Sequence, residues 1–422
     1  MPLPLFCDID HKIDILWEIS LRFRPCAPNW QGMMHTLFKG CDHPGQSSIA
    51  FLPMIDMSSS DKTCIFSTLE YVCNLAAKQN VPPIITFDQP LFWKASEIVN
   101  EVPDNSPIRD VVLLLGSFHT FMNLLGAIGT LMDGSGLRQI LETIYGENAV
   151  VHMMSGKSVQ RAFRGHLLVY QCLTHQIAAE IIKDEPGFEN VLKELETLFA
   201  LMDTGERDMD SLLKSDCIGT IADRLKSKAG ELSSHSRTSK LWLNYQQMLG
   251  VARELFEADR TGSWEMHLHA ISDCLPIFAA AGHPNYLKSG YLYLQKMYSL
   301  ETENPSVYQK FMNGFHVIRR SNQYWAGLSS DLVIEQTLMR SLESTGGLTR
   351  GSGFNEHQRT LWTMSRPVTS AYNYAMQEFS QVVYTTSEQH KEAMSARMNR
   401  DKSDKEKLVE KHLQKMLPCA TS

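Results

Sequence analysis

In the stretch PPIITFDQPLFWKA, residues 82–95, a short apolar run ends on one acidic residue. Ile84 to Phe87 read as a buried strand, Asp88 closes it, and Pro90 opens a helix. A carboxylate at that point has two uses. It can accept a hydrogen bond from the first turn of the helix as an N-cap. It can also hold a hard divalent cation at the tip of the strand, because Mg²⁺ takes oxygen ligands and keeps several of its waters. His119 follows a second apolar run, where an imidazole serves either as a ligand or as a buried group satisfied by a backbone carbonyl. Glu335 lies in SDLVIEQTLM, with Asp331 one turn before it on the same helical face; the alternative is an ordinary solvated acid.

The elements that must position these residues come from a chain of 422 residues, 43% hydrophobic and 21% charged, which is a globular composition. A net charge of −7 argues against a dedicated non-specific nucleic-acid binder and leaves room only for a local basic patch. The best local candidate for a phosphate contact is HVIRRSNQYW, with Arg319, Arg320 and Trp325, the alternative being a solvated helix end; Trp264 and Trp325 could stack on a base or pack in a core. Nine cysteines without a CxxC pair read as free thiols, and no signal peptide is evident, so an intracellular location is expected, nuclear if the protein acts on DNA. Residues 111–132 carry no charge and are long enough to span a bilayer, but Gly116-Ser117 divides a β-rich run from a helix-like one. The expectation is therefore strand, turn and helix, with a membrane-associated protein as the third reading. His267 and His269, two apart on a helix, fall on different faces and do not make a shared metal site. GLTRGSG (347–353) lacks the Lys-Ser/Thr of a P-loop.

Along the chain, residues 1–47 are poorly patterned. SIAFLPMID (48–56) reads as a strand, followed by helix, strand, helix and strand up to residue 115, the pattern of parallel βαβ pairing. From about residue 118 to 320 nearly everything has helical apolar spacing. The fold class expected is α/β plus mainly α. Its segments are an N-terminal piece (1–47), an α/β core part (48–135), a helical insertion (136–329), a last core helix with a following helical region (330–380) and a charged helical tail (381–422).

That order resembles an RNase H-like core whose parallel sheet is only partly present and is split by a large helical insertion. With SIAFLPMID as its third strand, Asp88 falls at the end of the fourth, beside the place where enzymes of this fold hold two metals between carboxylates. The runs FLPMIDMSSSDKTCIFSTL, ITFDQPLFWKA, LGSFHTFMNLLGAIG, AAGHPNYLKSGYLYLQKM and WAGLSSDLVIEQTLMRSLESTGGLTRG carry a more specific likeness. They resemble uncharacterised metazoan transposase-related proteins, themselves similar to transposases of the Kyakuja-Dileera-Zisupton type. The resemblance implies metal-dependent DNA strand cleavage and transfer as the ancestral reaction. It assigns Asp88 and Glu335 to Mg²⁺ or Mn²⁺, and gives His119 the role of second ligand or proton shuttle. DNA would be the partner, with no membrane and with homo-oligomers conceivable. Related proteins also carry an Asp-Asn motif upstream of FLPMID. Here only Asp8, Asp10 and Asp14 of CDIDHKID precede it, in a context that does not match. The expectation is a chain that is N-terminally incomplete or inactive, and the rival reading is a non-catalytic helical interaction scaffold.

Overall fold

Ile84–Phe87 are β-branched or aromatic residues that favour extended backbone. The helix before them is followed by Asn80, whose φ of +52° is the left-handed conformation common after a helix. In the computed structural model, which describes residues 14, 15, 17, 18, 30–37, 40–49, 58–203, 215–336, 364 and 399–408, these four residues form strand β1. Ahead of it come α1 (Trp30–Leu37) and α2 (Lys62–Lys78). After it, α3 (Gln89–Glu101) crosses to β2 (Val112–Leu115), which runs parallel to β1 in the register Ile84 to Val112 through Phe87 to Leu115. The crossover is a helix because parallel strands need a long connection. Its apolar face (Ala95, Ile98) packs with Ile65, Leu69 and Cys73 of α2 into one core, against which Ile85, Phe87 and Leu113 lean.

The rest is mainly helical. Helices α4 (Ser117–Leu131), α5 (Leu137–Glu142), α6 (Glu147–Met154), α7 (Val159–Asp184), α8 (Phe188–Asp203), α9 (Asp216–His235) and α10 (Arg237–Thr261) follow in order. Then come α11 (Trp264–Ala280), α12 (Pro284–Glu303) and α13 (Pro305–Met312), the two-residue antiparallel strands β3 (Ile318–Arg319) and β4 (Gly327–Leu328), and α14 (Ser330–Ile334).

Two compact units emerge. One comprises residues 1–39, 125–253 and 388–422; the other comprises 40–124 and 254–387. The boundaries differ from those expected. Residues 254–303, assigned by sequence to an insertion, pack with the parallel pair: α12 lies on α3 and β2, and Gly290 lets it approach α11 so closely that a Cβ there would sit 2.7 Å from Leu275 Cδ2. In the first unit, Arg253 is fully buried. It pairs with Asp14 and Glu18, and its guanidinium lies over Trp17, Trp30 and Tyr170. In the same unit, Arg164 holds Asp401 and Asp404 of the helical stretch 399–408, the described part of the charged tail.

Residues 111–132 are divided as the Gly-Ser pair implied, into β2 and α4. Among the described residues no helix is long and apolar enough to cross a membrane, which removes the ground for the membrane reading of this segment. Of SIAFLPMID, Ser48 and Ile49 have no regular structure and the remainder lies outside the described residues, as do GLTRGSG, Asp8 and Asp10. Asp14, the one described acid of CDIDHKID, is spent on Arg253 and on the Trp30 indole, which donates to it at 2.7 Å.

Candidate functional site

The carboxyl edge of the β1–β2 pair gathers the sequence candidates. Asp88 leaves β1 and begins α3, where one carboxylate oxygen accepts the Leu91 N–H at 3.2 Å: it is an N-cap, with Pro90 in the first turn. In the neighbouring strand Gly116 closes β2. Its carbonyl accepts the first α4 hydrogen bond, from Thr120. Glycine has no side chain to cap a helix, so the first-turn N–H groups of α4 need an acceptor from elsewhere.

Asp331 supplies it. The N–H groups of Phe118 and His119 donate to its two oxygens at 3.3 and 3.0 Å, and the His119 ring Nδ1 meets Oδ2 at 3.0 Å. Only glycine allows this approach: a Cβ on Gly116 would lie 2.5 Å from Asp331 Oδ2. Ser330 fastens the same turn to β1 by donating to the Thr86 hydroxyl at 2.7 Å. One helical turn later, Glu335 brings Oε1 to 3.7 Å from the other ring nitrogen, Nε2. The imidazole is thus flanked by a carboxylate on each side.

The hydrogen bond that the His119 ring makes to Asp331 raises the His119 pKa above its ordinary value; burial opposes this, and the charges of Asp331, Glu335 and Asp88 add to it. Burial pushes Asp331 upward, but the bonds from the His119 ring and backbone outweigh it and hold the carboxyl below its usual range. The two shifts run in opposite directions, and each favours the imidazolium–carboxylate form of the pair. Tyr286 of α12 completes the surroundings, its phenol held protonated first by burial and then by Asp88 and Asp331.

The sequence candidates fare unequally. Asp88, His119 and Glu335 do meet at one edge. Among the described residues, however, the one group of three or more His, Cys, Asp or Glu whose ligating atoms all lie within 4.8 Å of one another is Glu254, His269 and Asp273. Asp88, Asp331 and Glu335 form no such group. The expected nucleic-acid residues mostly turn inward. Trp264 is buried and stacked on His267; Trp325 is buried. Arg319 is buried because its guanidinium donates to the Tyr324 and Thr261 carbonyls, a pairing invisible to local sequence. Only Arg320 of the four is exposed.

A second polar chain lies next to this edge. Ser117 donates to Asp259 at 2.7 Å, and His267 stands 3.7 Å from Asp259 and 3.0 Å from the Tyr293 hydroxyl, beside a small cavity also lined by Trp264 and His316. A Ser-His-Asp triad needs the imidazole between serine and carboxylate; here the carboxylate is in the middle, so Ser117 has no base.

A family model described as Domain of unknown function (DUF8702) matches residues 29–421. The chain belongs to that family. No curated protein and no solved structure matches the DUF8702 chain. The matched span takes in the whole carboxyl edge, from Asp88 to Glu335, together with Glu254, His269 and Asp273.

Proposed function

We propose that this DUF8702 chain is a transposase-derived protein on a reduced RNase H-like core, and that its former strand-cleavage site persists as a structural clamp without catalysing DNA cleavage. The observation that carries this reading is the arrangement at His119. Asp331 is committed to two backbone N–H groups and the imidazole, and Glu335 faces the other ring nitrogen. Asp88 is committed to a helix cap. A histidine whose protonation its neighbouring carboxylates favour opposes a cation at this point, and carboxylates already engaged within the protein offer little to Mg²⁺ or Mn²⁺. The parallel βαβ pair, with Asp88 and Gly116 at adjacent strand ends, supports the ancestry.

The test is a strand-cleavage assay on single- and double-stranded DNA with Mg²⁺ or Mn²⁺, comparing the full chain with Asp88→Asn and Glu335→Gln. No activity above the level of the variants is expected. Cleavage by the wild-type chain that either substitution abolishes would overturn the reading. It would favour the metal-dependent strand transferase, whose support is the convergence of Asp88, His119 and Glu335 from three separate segments at one strand edge.

A further inference from the structure

His269 and Asp273 stand four residues apart on α11 and so share one helical face. Glu254 of α10 reaches that face: the His269 Nδ1 is 2.7 Å from Glu254 Oε1. One ligating atom from each of the three lies within 4.8 Å of the other two. Glu254 and Asp273 are 5% and 4% exposed, whereas the His269 side chain is 31% exposed and opens the group to solvent.

Asp273 is the telling member. The residue is almost wholly buried and its carboxylate makes no hydrogen bond to a described residue, yet it faces the imidazole and the second carboxylate. A buried carboxylate left without a donor is expensive, and proteins resolve the expense by protonating it, pairing it or coordinating a cation.

We propose that Glu254, His269 and Asp273 bind one divalent transition-metal ion of the zinc class. A mixed set of one imidazole and two carboxylates suits Zn²⁺ or Mn²⁺ better than Ca²⁺, which prefers an all-oxygen cage. Metal bonds of about 2.0–2.2 Å bring ligating atoms to roughly 3–3.5 Å from one another, within reach by side-chain rotation alone. A dication also neutralises the two carboxylates that face each other there. Three protein ligands leave a coordination position on the solvent side for water or a further ligand. The site is independent of the clamp at His119 and of any conclusion about DNA cleavage.

The experiment titrates the purified, chelator-stripped full chain with Co²⁺, whose visible bands report a tetrahedral or five-coordinate site, and then displaces it with Zn²⁺. About one equivalent should bind, and Zn²⁺ should raise the melting temperature. Asp273→Asn and His269→Gln should each weaken binding by at least about tenfold, and zinc should no longer raise their melting temperatures. Asp273→Asn without metal should melt no lower than the wild type, because it removes an unpaired buried charge, so a folded variant is available to titrate. Glu335→Gln and Asp88→Asn should bind as the wild type does. Absence of stoichiometric binding to the folded wild type overturns the proposal, as does binding that survives both Asp273→Asn and His269→Gln, or binding lost in Glu335→Gln instead.

Discussion

His119 Nδ1 and Asp331 Oδ2 stand 3.0 Å apart although 212 residues separate them in the chain. The contact joins the first turn of α4 to the short helix α14, and each partner shifts the other toward its charged form. Its contribution to stability should therefore depend on pH at both ends. His119 has its pKa raised in the folded state, so its contribution is complete below about pH 6.5 and is lost as pH rises through the raised value. Asp331 has its pKa lowered, so its contribution is complete above about pH 4 and is lost as pH falls through the lowered value. Asp331→Ala should cost about 2–4 kcal/mol near pH 6 and flatten both limbs in urea melts taken across pH. Unchanged limbs would show that other groups set the profile.

Gly116 is held small by the same carboxylate. Gly116→Ala places a Cβ 2.5 Å from Asp331 Oδ2 and 3.2 Å from the Phe87 carbonyl. A loss of about 1–3 kcal/mol is expected, as for other overpacked sites. In an Asp331→Ala background the closer contact is gone, so the same glycine substitution should cost at least about 1 kcal/mol less. A double-mutant cycle measures this coupling, and strict additivity would rule out the contact as the cause.

Of the two carboxylates around Arg253, Glu18 should carry a pH dependence of its own. Glu18 is fully buried and its pKa is pushed up to about 8, by burial first, with Arg253 pulling the other way. In the folded state Glu18 binds a proton more readily than in the unfolded state, so stability falls as pH rises from the ordinary carboxylate range to about 8. Glu18→Gln should abolish this slope and stabilise the protein at pH 8 by roughly 1–2 kcal/mol. Chemical denaturation of both proteins at pH 5 and pH 8 gives the comparison.

Arg319 and Arg320 are adjacent, yet they should respond oppositely to truncation. Arg319 donates at 2.7 Å to the Tyr324 carbonyl and also to that of Thr261, and Gly262 at φ +78° leaves room for it. Arg319→Ala strands buried carbonyls and opens a void, at about 2–4 kcal/mol. Arg320→Ala, at an exposed position, should change stability by no more than about 0.5 kcal/mol. Equal losses in thermal melts would contradict the burial assigned to Arg319.

The sequence made the local pieces legible. IITF followed by Asp and Pro specified a strand and a capped helix, and the Gly-Ser pair at 116–117 separated strand from helix inside an uncharged run. Asp331 was visible as the residue one turn before Glu335, but its partner was not, because nothing local to either segment encodes a meeting across 212 residues. The same limit explains Trp264 and Arg319. Aromatic and basic side chains look alike in sequence whether they face solvent or a carbonyl in the core. The Glu254–His269–Asp273 group could have been half seen: HAISD places His269 and Asp273 on one face, whereas His267 beside it draws the eye to a spacing of two. Glu254, on another helix, completes the set only in three dimensions.

The glycine at residue 116 has a consequence for the order in which the protein is made. Lacking a cap of its own, the first turn of α4 must wait for a carboxylate 212 residues downstream. At a synthesis rate of about 5–20 residues per second, the interval is roughly 10–40 s. During that interval the amide groups after Gly116 face water, and the edge of the parallel pair can close only after Asp331 has emerged.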